Sequence, residues 1–284
     1  MPEESKISQV IETSDGRENA LAAMFFVQHG EPYYGSEDFK PDPDGFLRME
    51  GGIHQENTGP IREWTQRFWT LWQETMRTTI NFRISPKRLA RDTLKAIMVQ
   101  LTNQNLSLVD QSRAMSWDNL SNWEFDNRLS CINMTPGLHE CIIRQVKGTR
   151  KGNGPQINRL NAWVATRDFQ GSETPEEVYR RSMSFLQEAI KESKREEHSG
   201  LFVNICHPEN VRDLLAAANL DINEHGMLPL PNYLVPNYLE EVFVGVLPYR
   251  EADEGYPLQV IFREQEAEII FHPQTGTIAG YTPR

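Results

Sequence analysis

Two apolar runs along the chain each end on a histidine. The first runs from Phe25 to Gln28 and is followed by His29, and the second runs from Gly200 to Cys206 and is followed by His207. Short apolar runs rich in aromatic and β-branched residues are typical of strands buried in a parallel sheet. Because ligands of α/β proteins bind at the carboxyl ends of such strands, we expect the two imidazoles to share one pocket.

Helical patterns alternate with these runs. From Gly59 the apolar residues recur at spacings of three and four, and a second helix is predicted after the strand from Thr79 to Ile84, where Ser85 and Pro86 form a start signal. Thr174 begins a further helix, and one more follows the second histidine. This alternation predicts an α/β three-layer sandwich, with a mostly parallel central sheet and helices on both faces.

The remaining segments differ in composition. Residues 1–19 are polar and charged, which predicts a flexible tail or a weakly docked arm ahead of a single domain over residues 20–284. Residues 102–170 scatter polar side chains among short apolar pieces, and we expect an insertion or cap there. Residues 228–284 hold three further strand candidates, the last two paired antiparallel, which are expected to extend one edge of the sheet.

Four short motifs follow one another along the chain in the same order as the motifs of a known family. They are Gln28-His29-Gly30-Glu31, Ser85-Pro86-Lys87-Arg88-Leu89-Ala90-Arg91-Asp92-Thr93, Gly171-Ser172-Glu173 with Val178-Tyr179-Arg180-Arg181, and His207-Pro208-Glu209-Asn210-Val211-Arg212. The first is similar to Arg-His-Gly-Glu and the second to Ser-Pro-Leu-x-Arg-Ala-x-x-Thr. The third is similar to a Gly-Glu-Ser helix start followed by Val and Arg, and the fourth to His-Gly-Gly-x-Ile-Arg. With these motifs the chain resembles the histidine phosphatase superfamily, in the branch that includes cofactor-dependent phosphoglycerate mutase.

The resemblance implies a site with two histidines but without its usual arginines. In the family the first histidine takes up the phosphoryl group, a second histidine and two arginines flank it, and a glutamate donates a proton to the leaving group. His29 and His207 match the histidines, whereas Gln28 and Leu89 stand at the arginine positions. The best match for the proton donor places Cys131 at the glutamate position. The expected catalytic residues are therefore the two histidines and this cysteine.

Further residues are candidates for substrate contacts. Loops at strand ends are where α/β proteins place ligand contacts, and the family places such contacts in the loop that here contains His54. Arg62, Arg88 and Arg212 are the cations considered as replacements for the missing arginines. A shift of one residue turns a helical side chain by roughly 100°, so Arg88 need not reach the position of its neighbour. The substrate-binding candidates are Gln28, Glu31, Tyr33, Tyr34, His54, Arg62, Arg88 and Leu89.

A pocket that lacks both arginines is expected to take a neutral or weakly charged substrate. Phosphoryl transfer depends on fixed cations around the phosphate oxygens. Two histidines can still act as an acid and base pair or as a nucleophile, which suits isomerisation, cyclisation, elimination or hydrolysis of a small, non-phosphorylated molecule. Two alternatives stay open: a phosphomonoester hydrolase with a rearranged phosphate pocket, and a catalytically inactive pseudo-phosphatase that binds a ligand or partner.

Composition narrows the expected partners. The net charge of −11 and the pI of about 5.2 disfavour nucleic-acid binding. Three cysteines without paired spacing favour a reducing compartment, and we expect a cytoplasmic protein. The apolar stretch from Leu21 to Val27 is too short to span a membrane. A small-molecule substrate is the expected partner, with no nucleic acid and no membrane, and a homodimer is compatible with the sequence.

A metal centre is a weaker hypothesis. Imidazole and thiolate ligands from His29, His207 and Cys131 would suit zinc or iron. The sequence shows no short ligand spacing of the HxH or CxxC kind around these residues. We therefore expect neither a metal ion nor another cofactor.

Overall fold

A central sheet of eight strands organises the part of the chain that the computed structural model describes. The described residues are 6–11, 20–30, 32–33, 43–44, 52–53, 58–74, 80–108, 122–146, 160, 162–194, 200–220, 238–263 and 265–281. The strands are β1 (Ala22–Gln28), β2 (Pro32–Tyr33), β3 (Gly52–Ile53), β4 (Ile80–Ile84), β5 (Asn122–Phe125), β6 (Gly200–Cys206), β7 (Glu241–Val246), β8 (Tyr256–Phe262), β9 (Gln265–His272) and β10 (Thr277–Ile278). β2 and β3 pair with each other in a separate small sheet.

The strand order across the large sheet is β10-β9-β8-β7-β1-β6-β4-β5. β1, β6, β4 and β5 run parallel to one another, and β7 to β10 add antiparallel strands at one edge. This confirms the predicted α/β class, the parallel core and the C-terminal extension of the sheet edge. β1 and β6 pair in a register that sets Gln28 opposite Cys206, so the residues that follow the two strands emerge side by side.

Helices cover both faces of this sheet, as predicted. They are α1 (Lys6–Ile11), α2 (Thr58–Glu74), α3 (Arg88–Leu108), α4 (Pro136–Val146), α5 (Pro175–Ser193) and α6 (Glu209–Ala218). Alternate side chains of β1 pack in the cores on opposite faces of the sheet. Phe25 packs in one core with residues of α2 and α3, and Phe26 packs in the other with residues of α5 and α6. Because side chains of a strand alternate between its faces, one continuous apolar run supports both layers.

Helix α1 docks on the sheet, in the segment where the sequence predicted a flexible tail or a weakly docked arm. Ile11 is fully buried, and Ile7 and Val10 lie on the same side of the helix and pack on the same core. Val10 comes so close to β7 that a Cβ added to Gly245 would meet its Cγ1 at 2.4 Å. The apolar spacing of these three residues explains why this short piece is held rather than free.

The predicted insertion or cap over residues 102–170 is partly integral to the main fold. α3 continues to Leu108, and β5 pairs with β4 as the edge strand of the sheet. Trp123 and Phe125 of this edge strand remain about half exposed, at 52% and 49%. A strand of this kind does not have the continuous apolar run by which a buried strand is recognised in a sequence. α4 and Trp163 form a small separate core together with a residue of α5.

Candidate active site

The structure brings His29 and His207 together at the carboxyl ends of β1 and β6. Their ring centroids lie 4.7 Å apart with an interplanar angle of 63°. Both side chains are buried, with exposed fractions of 3% and 4%. The backbone N–H of His29 donates to the carbonyl of Cys206 at 3.2 Å, which continues the pairing of the two strands as far as the histidines. The parallel register therefore sets the distance between the imidazoles.

The His29 ring is fixed in one tautomer. Its Nδ1 lies 2.7 Å from the carbonyl oxygen of Gly30, and because a carbonyl can only accept, Nδ1 carries the proton and donates. Nε2 therefore keeps its lone pair. The turn is held in place by Thr93 of α3, whose hydroxyl accepts from the Gly30 N–H at 3.0 Å and donates to the Leu89 carbonyl at 2.8 Å.

Burial keeps His29 neutral. Desolvation lowers the pKa of His29 from 6.5 to about 4, and the hydrogen bond to the Gly30 carbonyl opposes that change only in part. An imidazole with this pKa is unprotonated at neutral pH. His29 is thus a free base in a pocket from which water is largely excluded, which suits either nucleophilic attack or proton abstraction by Nε2.

Hydrogen bonds hold His207 through both its ring and its backbone. Its Nε2 lies 3.1 Å from the hydroxyl of Ser85, and its backbone N–H donates to Oδ1 of Asn210 at 2.9 Å. Burial lowers its pKa well below 6.5, and the charges of His29, Arg181 and Lys87 lower it further. The pair is therefore two neutral rings, of which His207 is oriented by a hydroxyl and His29 by a carbonyl.

A loop over residues 126–134 crosses beside the histidines and is clamped from two helices. Arg181 of α5 donates to the carbonyls of Arg128 and Cys131, the latter at 3.3 Å, and pairs with Glu173 at 2.8 Å. Asn210 of α6 donates through Nδ2 to the carbonyl of Arg128 at 3.1 Å and to that of Ser130 at 3.3 Å. Arg181 and Asn210, both distant from the loop in sequence, thus fix its backbone path.

Cys131 is buried in this loop as a protonated thiol. Desolvation raises its pKa to about 11, the charges of Lys87 and Arg181 oppose that rise, and those of Glu209 and Glu173 add to it. The thiolate, which is the reactive form, is therefore scarce at neutral pH. A thiol that holds its proton this tightly is a weak acid for the proton-donor position that the resemblance implies, and the catalytic role of Cys131 stays a prediction.

Glu209 is a buried carboxyl that sequence reasoning did not single out. It is the first residue of α6 and is 6% exposed. Its Oε1 accepts from the backbone N–H of Ile132 at 2.8 Å, so the carboxyl lies against the clamped loop directly after Cys131. Burial raises its pKa from 4.5. The only sequence signal was its position two residues after His207.

The substrate-binding candidates fall into different places. Gln28 and Leu89 are almost fully buried beside the histidine turn, at 1% and 0% exposure. Arg62 lies on the exposed side of α2, and the side chain of Arg88 is 56% exposed and pairs with Asp92 at 3.4 Å. Both arginines are thus outside the buried space of the imidazoles. Tyr33 belongs to β2, whereas Glu31, Tyr34 and His54 lie outside the described residues.

Arg212, considered above as a replacement cation, has a structural role. It is 5% exposed, donates to Asp213 at 2.5 Å and lies over the ring of Trp163 at 5.7 Å from its centroid. Asp213 also accepts from the hydroxyl of Tyr281. The guanidinium is therefore committed to holding α6 against the small core around Trp163 and the C-terminal residues.

Lys87 is the cation that the second motif does bring towards the site. It is half-buried, and its charge lowers the pKa of both His207 and Cys131. Its backbone N–H donates to the hydroxyl of Ser85, the same hydroxyl that contacts His207. The sequence signal for Lys87 was its place two residues after that serine, where the family motif has a leucine.

An open groove lies between the start of α2 and the residues just before β7, and neither histidine is among the described residues that line it. Tyr238 forms part of its wall, and the Tyr238 ring centroid is 5.8 Å from that of His29. Pro60, Arg67 and Glu240 also line it, and its volume is about 620 Å³. Its size is suited to a small organic molecule.

Among the described residues, no group of three or more histidine, cysteine, aspartate or glutamate side chains is arranged to hold a metal ion. Their helices include none with the length and apolar character that crossing a membrane requires.

Comparison with known proteins gives a likeness of fold. No protein-family model and no curated protein matches the sequence. The solved mycobacterial glucosyl-3-phosphoglycerate phosphatase superposes with a TM-score of 0.51 at 14% identity, over 87% of this chain and 100% of that chain. Mycobacterial hydrolase 2 superposes with a TM-score of 0.51 at 16% identity, over 87% of this chain and 91% of that one. Mycobacterial hydrolase 1 superposes with a TM-score of 0.51 at 12% identity, over 87% and 100%.

These matches cover most of this chain and nearly all of each partner, at identities where only the fold is informative. The chain therefore has the fold of the phosphoglycerate mutase-like histidine phosphatases.

Proposed function

We propose that the chain is a hydrolase-type enzyme that acts on a small, non-phosphorylated carbonyl compound, with His29 as the nucleophile or general base. The observation that carries this proposal is the fixed tautomer of His29, with Nδ1 donating to the Gly30 carbonyl at 2.7 Å. This leaves the Nε2 lone pair available on a neutral ring. Fold neighbours named as hydrolases support the reaction class.

The chemistry follows from the two neutral rings. Attack by a neutral imidazole on a carbonyl carbon creates positive charge on the ring and negative charge on the carbonyl oxygen. His207, whose centroid lies 4.7 Å away and whose Nε2 lies 3.1 Å from the Ser85 hydroxyl, would be the second imidazole near the reacting group. The same pair would act as a base towards a C–H or O–H group in isomerisation, cyclisation or elimination.

The charge balance of the pocket favours a substrate of low charge. A phosphomonoester dianion needs several fixed cations, each contributing roughly 1.5 to 3 kcal/mol through charge-assisted hydrogen bonds. Gln28 and Leu89 supply none, and Arg181 is already paired with Glu173. A neutral carbonyl compound does not require these fixed cations.

The test compares two probes with the same leaving group, p-nitrophenyl acetate and p-nitrophenyl phosphate. We expect the purified chain to hydrolyse the acetate and not the phosphate, and His29→Asn to abolish the acetate activity. His272→Asn, on β9 and three strands away from β1 in the sheet, serves as the matched control and should keep the activity. Strong phosphate release that depends on His29 would overturn the carbonyl substrate, and no His29-dependent turnover of any probe would favour an inactive binding protein.

A rearranged phosphatase is the second candidate, and Lys87 is the observation that favours it. Its charge acts on both His207 and Cys131, so a cation does approach the pair. A solved structure of the mycobacterial glucosyl-3-phosphoglycerate phosphatase in complex with inorganic phosphate shares the fold, with a TM-score of 0.50. If this candidate holds, Lys87→Met removes phosphate release and Lys87→Arg retains it.

A further inference from the structure

The hydroxyl of Ser85 lies at the strand ends and has no step in the proposed reaction. Ser85 directly follows β4, the neighbour of β6 in the sheet, and its backbone N–H donates to the carbonyl of Ile205 at 2.9 Å. The backbone N–H of His29 donates in the same way to the carbonyl of Cys206. The sheet therefore sets Ser85, His207 and His29 in a row, at the carboxyl ends of the neighbouring strands β4, β6 and β1.

This hydroxyl is in direct contact with the second imidazole. Oγ of Ser85 lies 3.1 Å from Nε2 of His207, and the two residues are 0% and 4% exposed. A serine hydroxyl alone is a weak nucleophile, and a base at hydrogen-bond distance activates it by taking its proton as the oxygen attacks. Burial lowers the pKa of His207 well below 6.5, so the ring is unprotonated at neutral pH and has a lone pair for that proton. Once protonated, such a ring is a strong acid and gives the proton up readily.

The backbone around Ser85 supports negative charge on its oxygen. The N–H of Lys87 donates to Oγ at 3.3 Å, and because this bond uses a lone pair of the oxygen, the hydroxyl proton is available for His207. Ser85 also lies between the end of β4 and the start of α3 at Arg88, where the positive end of the helix dipole favours developing negative charge. A turn between a strand and a helix is the place from which α/β hydrolases present a nucleophilic serine.

The two imidazoles are suited to different halves of a hydrolysis. Nε2 of His207 contacts the hydroxyl of Ser85, so this ring is placed to move the proton of that hydroxyl. His29 donates from Nδ1 to the Gly30 carbonyl, which leaves its Nε2 lone pair for a water molecule. Because the ring centroids are 4.7 Å apart, both rings lie within reach of one acyl group bound between them.

We infer that Ser85 is the nucleophile of the site, with His207 as its general base and His29 as the general base for water. Oγ of Ser85 bonds to the carbonyl carbon as its proton passes to Nε2 of His207, and the bond to the alcohol breaks as that proton passes to the departing oxygen. Water then attacks the acyl-serine and gives one proton to Nε2 of His29. Oγ departs with the proton of the new carboxyl group, and His29 releases its proton to solvent. One ester and one water thus give one alcohol, one carboxylate and one proton. The inference rests on the proposed carbonyl hydrolase and names its nucleophile.

The experiment blocks the second half of the reaction and looks for the acyl group. The full chain, His29→Asn and Ser85→Ala react with p-nitrophenyl acetate, are quenched in acid and are digested for peptide mass spectrometry. In His29→Asn we expect a burst of about one equivalent of p-nitrophenolate, steady turnover at least about 100-fold lower, and an acetyl group on Ser85. Ser85→Ala should lower kcat/KM by about 1,000-fold or more and give neither burst nor acetyl group.

Ser182→Ala is the matched control. Ser182 is another buried serine, 8% exposed, in the middle of α5. Its replacement should leave the turnover unchanged, and in the His29→Asn background it should leave the burst unchanged. Ser85→Cys covers the case in which Ser85→Ala does not fold, because it keeps a nucleophilic atom at the same position. Combined with His29→Asn, it should carry the acetyl group as a thioester on the cysteine.

The outcomes separate the inference from the proposed function. If the unaltered chain hydrolyses the ester but His29→Asn shows no burst and no acetyl group on Ser85, the inference is overturned and the carbonyl hydrolase stands. Unchanged turnover in Ser85→Ala overturns the inference as well. No His29-dependent hydrolysis by the unaltered chain overturns the proposed function, and the role of Ser85 with it.

Discussion

At the scale of single residues, the proposed chemistry depends on the protonation of His29. Its neutrality at neutral pH comes from burial, which lowers its pKa, and its Nδ1 donates its proton to the Gly30 carbonyl. A neutral buried ring lowers the free energy of unfolding under acidic conditions, because the unfolded chain binds a proton that the folded chain does not. The same feature that supplies a free base should therefore appear in the pH dependence of unfolding.

The first prediction concerns that dependence. Above pH 6.5 His29 is neutral in both states and leaves stability unchanged. Between 6.5 and about 4 only the unfolded chain takes up the proton, so the free energy of unfolding falls as the pH falls, by about 3 kcal/mol from this residue at 1.36 kcal/mol per pKa unit. Urea unfolding across this range should show the fall in the unaltered chain and a smaller one in His29→Asn.

His272→Asn is the control, and it should follow the unaltered chain. Asn at position 29 retains an N–H that can donate to the Gly30 carbonyl, which limits the structural damage. Identical pH dependence of the unaltered chain and His29→Asn would contradict the assignment of His29 as a buried neutral ring.

At the scale of elements, side chains of α5 and α6 hold the loop over residues 126–134 in place by hydrogen bonds to its carbonyls. Asn210 joins three partners: the N–H of His207 and the carbonyls of Arg128 and Ser130. One side chain thereby ties the second histidine to the loop that carries Cys131. Each of these hydrogen bonds is buried or partly buried, so removing the amide leaves polar groups without their partner.

The second prediction is that Asn210→Ala lowers the free energy of unfolding by about 2 to 4 kcal/mol, from three lost hydrogen bonds. Chemical denaturation measures this change. Asn133→Ala, whose side chain is exposed in the same loop, is the control and should change stability by less than about 0.5 kcal/mol. Equal effects of the two substitutions would contradict the clamp.

The third prediction tests the docking of α1. Gly245→Ala places a Cβ 2.4 Å from Val10 Cγ1, so helix and strand must separate, and we expect a loss of about 1 to 3 kcal/mol. Faster cleavage by trypsin after Lys6 should accompany it. Gly59→Ala at the start of α2 meets open space and should be neutral or slightly stabilising. An unchanged Tm and cleavage rate in Gly245→Ala would show that α1 is not held there.

At the scale of the whole molecule, local signals predicted the fold better than the site. The runs before His29 and His207 are continuous and apolar, so both strands and their shared edge could be inferred from sequence. β5 could not, because its aromatic residues are exposed at the sheet edge. The links from Glu209 to Ile132 and from Asn210 to Ser130 join residues 77 and 80 positions apart, and no local pattern encodes them.

The cations near the site also could not be predicted from the sequence. In the sequence, Arg62, Arg88 and Arg212 were the candidates to replace the missing arginines, yet the first two are exposed and the third is buried against Asp213. Lys87 and Arg181 instead act on His207. Which face of a helix meets the pocket depends on how the helix packs on the sheet, and a shift of one position is enough to turn a side chain away.

The most direct test of the central claim is nitrogen NMR of the chain labelled at its histidines, recorded across pH, with His29→Asn to assign the signal. We expect His29 to remain neutral at neutral pH, to carry its proton on Nδ1 and to titrate at about 4. A His29 that titrates near 6.5, or that carries its proton on Nε2, would contradict the free lone pair on which the proposed function depends.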